Sequence, residues 1–208
     1  MTALKKSLSV RYSIVDLGEA KQYLGMHNKR DHDARTIYLN QTRYITKILE
    51  RFGMQDFKGI SMSMEAPALP PFPTDPVEAI KRTEYQSKVG NVMYPMLGTC
   101  PDFAFEAISA LTKYNSCQIT AHHSAMGRVL QHLQATKNTG ILYEGESKIS
   151  AMPEAVCYTH PDWAGDRDKC RSTGGFVVVL CGGAVSWKTR KQDILVLSTT
   201  EAEYIALT

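Results

Sequence analysis

Acidic side chains near the end of the chain have the types and spacing that metal-assisted phosphodiester cleavage requires. Asp162 and Asp166 follow an apolar, strand-like segment, and Glu201 and Glu203 lie in a helix-like segment further along. Carboxylates brought together from a strand and a helix can hold two divalent metal ions, which activate a water and stabilise the leaving oxygen. The sequence stops at Thr208 within that helix, so we expect the site to be incomplete.

The two glutamates cannot both face the same site. Positions two apart on a helix differ by about 200° around its axis. Ser198 or Thr199 followed by Glu201 is typical of a helix start, where the side chains satisfy free backbone amides. We therefore expect Glu203 to be the better candidate for a metal ligand.

The elements that position these residues follow from the hydrophobic pattern. Strand-like periods cover Val156–Thr159, Gly175–Leu180 and Ala184–Lys188, and the last two are joined by a Gly-Gly turn at Cys181–Gly183. A boundary is predicted near Gly145–Pro153, where small and polar residues replace the apolar pattern. The C-terminal region is therefore expected to be a small sheet followed by a helix.

Upstream of that boundary the pattern predicts a hairpin and several helices. Strands at Tyr23–Met26 and Thr36–Leu39 flank a charged turn at Asn28–Arg35, and an amphipathic helix covers Tyr44–Phe52 before Gly53. Further helices are predicted at 83–97, 102–114 and 121–135, and Gly127 lies inside the last of these. Pro-rich residues 61–76 indicate a linker or surface loop, and Pro95 is unfavourable inside its helix because it removes an amide donor. The fold class is α+β.

Composition limits the classes of protein that fit. The 208 residues carry a net charge of +3, but residues 1–58 hold eleven basic and six acidic side chains, a local excess of +5. Such an excess can bind phosphate or simply be a solvated face. No apolar run is long enough to span a membrane, and no signal peptide is evident. Five cysteines without a C-x-x-C pair indicate reduced thiols and a soluble, intracellular protein, cytoplasmic or nuclear.

Several blocks of the sequence, in the same order, resemble the Pol polyprotein of copia-type LTR retrotransposons. The last block, DWAGD…STGGFVVVL…GGAVSWKTRKQ…LSTTEAEYIAL, is the most specific. The other blocks are DLGEAKQYLG (Asp16–Gly25), RTIYLNQTRYITKILERFGM (Arg35–Met54), YQSKVGNVMYPMLGTCPDFAF (Tyr85–Phe105) and the helix at His122–Thr136.

The resemblance implies a domain organisation. Residues 1–60 would be the end of a reverse transcriptase palm with the first thumb-like helix, and residues 61–82 a linker. Residues 83–145 would form a helical thumb or connection region, and 155–208 the N-terminal part of a ribonuclease H-like domain. The polymerase site of the family needs a paired-aspartate turn, and no Tyr-x-Asp-Asp sequence occurs here. Asp31 and Asp33 are expected to be turn residues, so polymerase activity is not expected.

The resemblance also identifies the metal-binding positions of ribonuclease H. His160 occupies the position of the family's first aspartate, and Glu203 matches the second carboxylate. The third would lie beyond Thr208. Asp162 shares a strand face with His160 but is displaced by about 6–7 Å, which two-metal geometry does not easily tolerate. Intact relatives would use Mg²⁺, whereas we expect this chain to bind none and to lack hydrolytic activity.

Basic side chains are the candidates for contact with nucleic acid, with an RNA–DNA hybrid or a duplex as the implied partner and no membrane. The family has further basic residues where this chain has Cys100, Gly127, Gln131 and Gln134, which together with Pro95 indicates a decayed copy. The candidates are Arg43, Lys47, Arg51, Arg128, Lys188, Arg190 and Lys191.

Three hypotheses remain open. The chain is a catalytically inactive piece of a retrotransposon polyprotein, or an active fragment completed by another chain or by metal at Asp162 and Glu203. Alternatively, it is a nucleic-acid-binding module retained without catalysis.

Overall fold

A computed structural model of the protein describes residues 2–61, 79–101, 107–145, 154–166, 171–194, 196 and 198–207, with the backbone alone for residues 2, 79–81 and 162–166. Within those ranges it contains six α-helices and two antiparallel sheets, which confirms the α+β class. Most of the predicted linker and of the predicted boundary at Gly145–Pro153 lies outside the described residues.

The elements have the following bounds. The helices are α1 (Thr2–Arg11), α2 (Thr42–Arg51), α3 (Ala79–Gly98), α4 (Ser109–Thr112), α5 (Thr120–Thr136) and α6 (Thr199–Ala206). The strands are β1 (Gln22–Tyr23), β2 (Met26–Asp31), β3 (Thr36–Asn40), β4 (Gly140–Glu144), β5 (Val156–Asp166), β6 (Arg171–Leu180) and β7 (Gly183–Lys191).

The first sheet has the order β1-β2-β3-β4 and contains the predicted hairpin, formed by β2 and β3. Its turn is shorter than the predicted charged turn at Asn28–Arg35, because Asn28 to Asp31 belong to β2 and pair with β3. The Asp31 carboxylate accepts hydrogen bonds from the amides of Asp33 and Ala34 at 3.0 and 2.9 Å. Asp31 therefore holds the turn through its side chain, as aspartate often does.

Strand β4 was not predicted, because five residues after a helix carry too little periodicity to be recognised. It pairs antiparallel with β3, with Leu142 opposite Tyr38. Gly140 permits the approach, since an added Cβ would lie 2.2 Å from the Leu39 carbonyl oxygen. Residues 140–144 thus complete a sheet that begins more than a hundred residues earlier.

The helices enclose one apolar core. Helix α2 buries Ile45, Ile48 and Leu49, as its periodicity predicts. Each such side chain contributes about 1.5–3 kcal/mol when fully buried. Predicted helices 83–97 and 121–135 are confirmed as α3 and α5, and the described part of 102–114 is helical at residues 107–112, which include α4. The buried core consists of Ile45, Ile48, Leu49, Tyr85, Val89, Val92, Cys100, Ala107, Ile108, Leu111, Met126, Val129, Leu130 and Leu133.

Pro95 does not interrupt α3, which continues to Gly98. A proline at this position has no amide to give the Asn91 carbonyl four residues earlier. The Tyr44 hydroxyl of α2 donates a hydrogen bond to that carbonyl at 3.4 Å. The ring of Tyr44 also packs edge-on against Tyr94, with centroids 4.9 Å apart. A contact from another helix therefore offsets part of the loss that the sequence indicated.

The second sheet has the order β5-β6-β7 and all its pairs are antiparallel. The predicted strands are confirmed but longer than expected. The predicted Gly-Gly turn is displaced by one residue, because Cys181 and Gly182 occupy the turn with φ of +51° and +76°. Positive φ at both central positions is what a tight hairpin of twisted strands requires. Gly183 begins β7 instead.

The β6–β7 hairpin joins the two sheets. The Glu144 amide donates to the Cys181 carbonyl at 2.8 Å, and the Tyr143 hydroxyl donates to the Ala184 carbonyl at 2.6 Å. An added Cβ on Gly183 would lie 2.6 Å from the Tyr143 ring, so only glycine fits there. Burial in this contact raises the pKa of the Tyr143 phenol.

Trp187 makes a further link between the two regions. The indole N–H of Trp187 on β7 donates a hydrogen bond to the Met96 carbonyl of α3 at 2.9 Å. The amides of Thr99 and Cys100 both turn to the Pro95 carbonyl, at 3.0 Å each. The indole thus supplies a donor to a carbonyl in the last turn of α3, where helical partners run out.

The Tyr44–Asn91 contact is tested by a double-mutant cycle. Tyr44→Phe removes the donor to a carbonyl that Pro95 leaves without a helical partner, and we expect the free energy of unfolding to fall by about 1 kcal/mol. In a Pro95→Ala background the restored amide can bond the same carbonyl, so Tyr44→Phe should cost clearly less. Urea unfolding of the four proteins measures the coupling. An equal cost in both backgrounds would contradict the link.

Trp187→Phe tests the contact between the second sheet and α3. The substitution keeps an aromatic ring but removes the N–H donor, so we expect a loss of about 1 kcal/mol in unfolding free energy. Ser186→Ala, at the exposed neighbouring position, is the control. Faster amide exchange at Thr99 and Cys100 is expected in Trp187→Phe alone. Identical urea midpoints and exchange rates in both variants would show that the indole does not hold the helix end.

Candidate functional site

His160 of β5 and Glu203 of α6 approach each other across the second sheet. Their closest atoms, Nδ1 of His160 and Oε1 of Glu203, are 3.8 Å apart. The two side chains are 84% and 49% exposed, so water screens the contact strongly. A loose ion pair forms when the imidazole is protonated. The contact shows that β5 and α6 bring these two side chains together, but it adds little to the stability of the fold.

Helix α6 is held firmly enough to position Glu203. The Ser198 hydroxyl accepts a hydrogen bond from the Glu201 amide at 3.2 Å, which caps the helix as the sequence predicts. The Gln192 side-chain amide donates to the Ala202 carbonyl at 2.9 Å in a buried position. Ala206 lies against Gly174 of β6, where an added Cβ would approach it to 3.6 Å. A cap, a buried hydrogen bond and a close sheet contact thus orient the helix.

Asp162 lies in β5 two residues after His160, and its backbone pairs with Thr173 of β6. Residues i and i+2 of a strand share a face. The side chains of Asp162, Trp163 and Asp166 lie outside the described residues. The pairing of β5 with β6 is irregular between Asp162 and Asp166, as in a bulge.

The donor atoms do not suit a pair of Mg²⁺ ions. Among the described residues, no three His, Cys, Asp or Glu side chains are grouped closely enough to hold a metal ion. Mg²⁺ prefers oxygen ligands, and a two-metal site needs several carboxylates to balance its charge. His160 offers a neutral nitrogen or a positive charge, and Glu203 offers one carboxylate. The described side chains of this pair thus supply one anionic ligand, which is too little charge to balance two divalent ions.

The basic residues singled out from the sequence fall into two groups. Arg43, Lys47 and Arg51 are exposed on the face of α2 opposite the core. Arg43 is tied to the Gln22 side chain at 3.2 Å, and Arg51 lies over the Phe52 ring at 5.6 Å from its centroid. These three residues form a positive stripe along α2, because positions four apart are neighbours on a helix, and the acidic Glu50 is exposed beside them.

The second group lies on β7. Lys188 and Arg190 are exposed on this strand, and Arg190 pairs with Asp193 at 2.6 Å. Lys191 is half-buried, and burial together with the charge of Lys113 lowers the pKa of its ammonium. Lys113 could not be identified from the sequence, because it lies far from Lys191 along the chain. Arg128 is half-buried on α5.

Two residues interpreted as losses of basic character have structural roles. The Gln134 side-chain amide donates to the Gln55 carbonyl at 2.7 Å and ties the segment after α2 to α5. Cys100 is 4% exposed and belongs to the apolar core. Nearby, Gly59 lies so close to Ala135 that an added Cβ would be 2.8 Å away. Gln134, Cys100 and Gly59 therefore contribute to contacts that hold the helical region together.

Sequence comparison identifies the class of protein. No family model matches the chain, and no solved structure matches it. The Pol polyprotein of transposon TNT 1-94 from Nicotiana tabacum is 34% identical over 99% of this chain and 15% of its own length. That of transposon RE1 from Arabidopsis thaliana is 34% identical over 95% of this chain and 13% of its own. Secreted RxLR effector protein 161 of Plasmopara viticola is 41% identical over 62% of this chain and 87% of its own.

The fold is an α+β arrangement in which the Glu203 carboxylate of α6 faces the His160 imidazole of β5. From its similarity to these relatives, the chain belongs to the family of Pol polyproteins of copia-type retrotransposons. It spans only a small part of the two Pol polyproteins named above. In the described part of the chain, no helix is long and apolar enough to cross a membrane.

Proposed function

We propose that the chain is a reverse transcriptase–ribonuclease H segment of such a polyprotein and that it has no catalytic activity. Residues 1–60 correspond in this proposal to the palm end and first thumb-like helix, 61–82 to a linker, 83–145 to the thumb or connection region, and 155–208 to the start of a ribonuclease H-like domain. Family membership and the succession of three antiparallel strands and a helix support this assignment.

The main support for a loss of catalysis is the position of His160, whose Nδ1 lies 3.8 Å from Oε1 of Glu203. The resemblance puts the first metal-binding aspartate of complete relatives at that position. Those relatives copy RNA into DNA and cleave the RNA of RNA–DNA hybrids with Mg²⁺. With an imidazole beside Glu203, the local charge changes in the direction that repels a divalent cation. We propose that the described residues of this site hold no Mg²⁺.

The implied partners are an RNA–DNA hybrid or duplex and other parts of the polyprotein. An intracellular location, cytoplasmic or nuclear, is also proposed. It is supported by the lack of a disulfide among the described cysteines, which are Cys100, Cys117, Cys157 and Cys181.

A cleavage assay tests the loss of catalysis. The full chain is incubated with an RNA–DNA hybrid labelled on its RNA strand, in Mg²⁺ and separately in Mn²⁺, and we expect the RNA to remain intact. Cleavage by the wild-type chain that disappears in Glu203→Gln would overturn the proposal. The variant His160→Asp identifies the cause. Cleavage gained in this variant and lost again on adding Glu203→Gln would show that His160 alone blocks the site.

A second candidate is a nucleic-acid-binding module without catalysis. The positive stripe of Arg43, Lys47 and Arg51 favours it, because all three are exposed and regularly spaced on a well-packed helix. Most of secreted RxLR effector protein 161 aligns with this chain, which supports a module that exists apart from a full polyprotein. Similar sequence therefore occurs in a protein not much longer than the aligned segment.

Binding of a hybrid or duplex, followed by fluorescence anisotropy over a salt series, tests this candidate. Each residue that neutralises a phosphate adds about 0.9 to the slope of log affinity against log salt on B-form DNA. Replacing Arg43, Lys47 and Arg51 by Ala should flatten the slope and weaken binding. The control replaces Lys5, Lys6 and Arg11 of α1, which changes the net charge equally. Equal effects of the two triple variants, or no measurable binding at low salt, would rule out a site on α2.

A further inference from the structure

His122 is a histidine in the first turn of α5, and its side chain is completely buried, with 0% of the residue exposed. Its Nδ1 accepts a hydrogen bond from the backbone amide of Ile119 at 3.1 Å. Glutamate or glutamine often reaches back to the start of a helix in the same way. An imidazole nitrogen that accepts a hydrogen bond carries no proton, so the ring is neutral and its proton lies on Nε2.

Aromatic rings surround this imidazole. The ring of His122 stacks on Tyr114, with centroids 3.7 Å apart and planes inclined by 21°. Tyr85 of α3 donates its hydroxyl to the Leu111 carbonyl at 2.9 Å, and burial together with Tyr114 raises the pKa of its phenol. A phenol carries no charge near pH 6, so these rings supply no counter-charge for a protonated imidazole. The attraction of a cation to the face of Tyr114 is smaller than the cost of burying a charge.

The charged groups at this end of α5 also disfavour a proton on His122. Glu84 of α3 pairs with Lys88 at 2.6 Å. Lys88 lowers the pKa of the Glu84 carboxyl most, and the charge of the adjacent His123 contributes as well. Lys113, at the end of α4, is exposed and positive. Its charge and the positive end of the α5 dipole both oppose a further positive charge in the first turn of α5.

We propose that His122 makes the packing of α5 sensitive to acid, because the ring can accept the Ile119 hydrogen bond only while it is neutral. A proton on Nδ1 would turn the acceptor into a donor that faces another donor, and it would place a charge in the core. Loss of the contact would release the first turn of α5, which is followed by the core residue Met126. Acidification would thus loosen the helical region and expose apolar surface.

The direction of the pH dependence follows from the protons bound in each state. Histidine in an unfolded chain takes up a proton near pH 6.5. The folded chain keeps His122 neutral, so below that pH the unfolded chain binds one more proton at this position. The contribution of His122 to stability is therefore complete above about pH 6.5 and decreases as the pH falls further.

Urea unfolding of the full chain at pH 7.5 and pH 5.5 tests the proposal. A histidine that stays neutral in the folded chain raises the unfolding constant about tenfold over this interval. His122→Gln keeps a side-chain acceptor but cannot be protonated. We expect its unfolding constant to rise about tenfold less than that of the wild type. The loss of stacking on Tyr114 should lower the stability of this variant at pH 7.5 by a separate amount.

His123→Gln is the matched control, because it makes the same change at the adjacent position, where the ring lies edge-on to Tyr85 with centroids 5.2 Å apart. This variant should keep at least the acid sensitivity of the wild type. The proposal fails if His122→Gln keeps the full pH dependence, or if His123→Gln alone removes it.

Nitrogen NMR of the wild-type chain provides a second test that needs no variant. In the folded chain, the His122 ring should keep its proton on Nε2 and its Nδ1 unprotonated from pH 7.5 to pH 5.5. Protonation of this ring within that range, with no loss of stability, would overturn the proposal.

Discussion

Carbonyl groups in the last two turns of α3 accept hydrogen bonds from distant parts of the chain. These hydrogen bonds link α3 to α2 and to the second sheet. Pro95 removes one helical amide, and the end of the helix leaves further carbonyls without helical partners. Tyr44 of α2 donates to Asn91, and Trp187 of β7 donates to Met96. Thr99 donates to the buried side chain of Gln41 at 3.0 Å. Three regions of the chain thus meet where the backbone carbonyls of one helix lack donors within that helix.

The same contacts extend to the second sheet and to the helix that packs on it. Trp187 fixes β7 to α3, β7 pairs with β6, and β6 carries both β5 and the surface under α6. His160 and Glu203 are therefore positioned by a frame that includes the helical region. Their own contact is too exposed to contribute much stability. The pair is therefore weak, although the elements that carry it are well fixed.

Local periodicity predicted the elements that bury one face. The core face of α2, the cap of α6 by Ser198 and the β2–β3 hairpin all follow from neighbouring residues. Strand β4 could not be predicted, because its pairing with β3 is a contact between distant residues. The proximity of His160 to Glu203 was expected only from the family resemblance, since no spacing rule brings residue 160 to residue 203. The partners of Pro95 and Trp187 were missed for the same reason.

The residues that depart from the family pattern differ in how much they contribute to the packing of the fold. Cys100 fills a core position, where a buried basic side chain would need a partner for its charge. Gln134 ties α5 to the segment after α2, and Pro95 lies in a helix whose Asn91 carbonyl has another donor. Each of these residues is accommodated by the fold. His160 differs, because its side chain is exposed and adds little to packing. A substitution at His160 is therefore expected to change the chemistry beside Glu203 more than the stability of the fold.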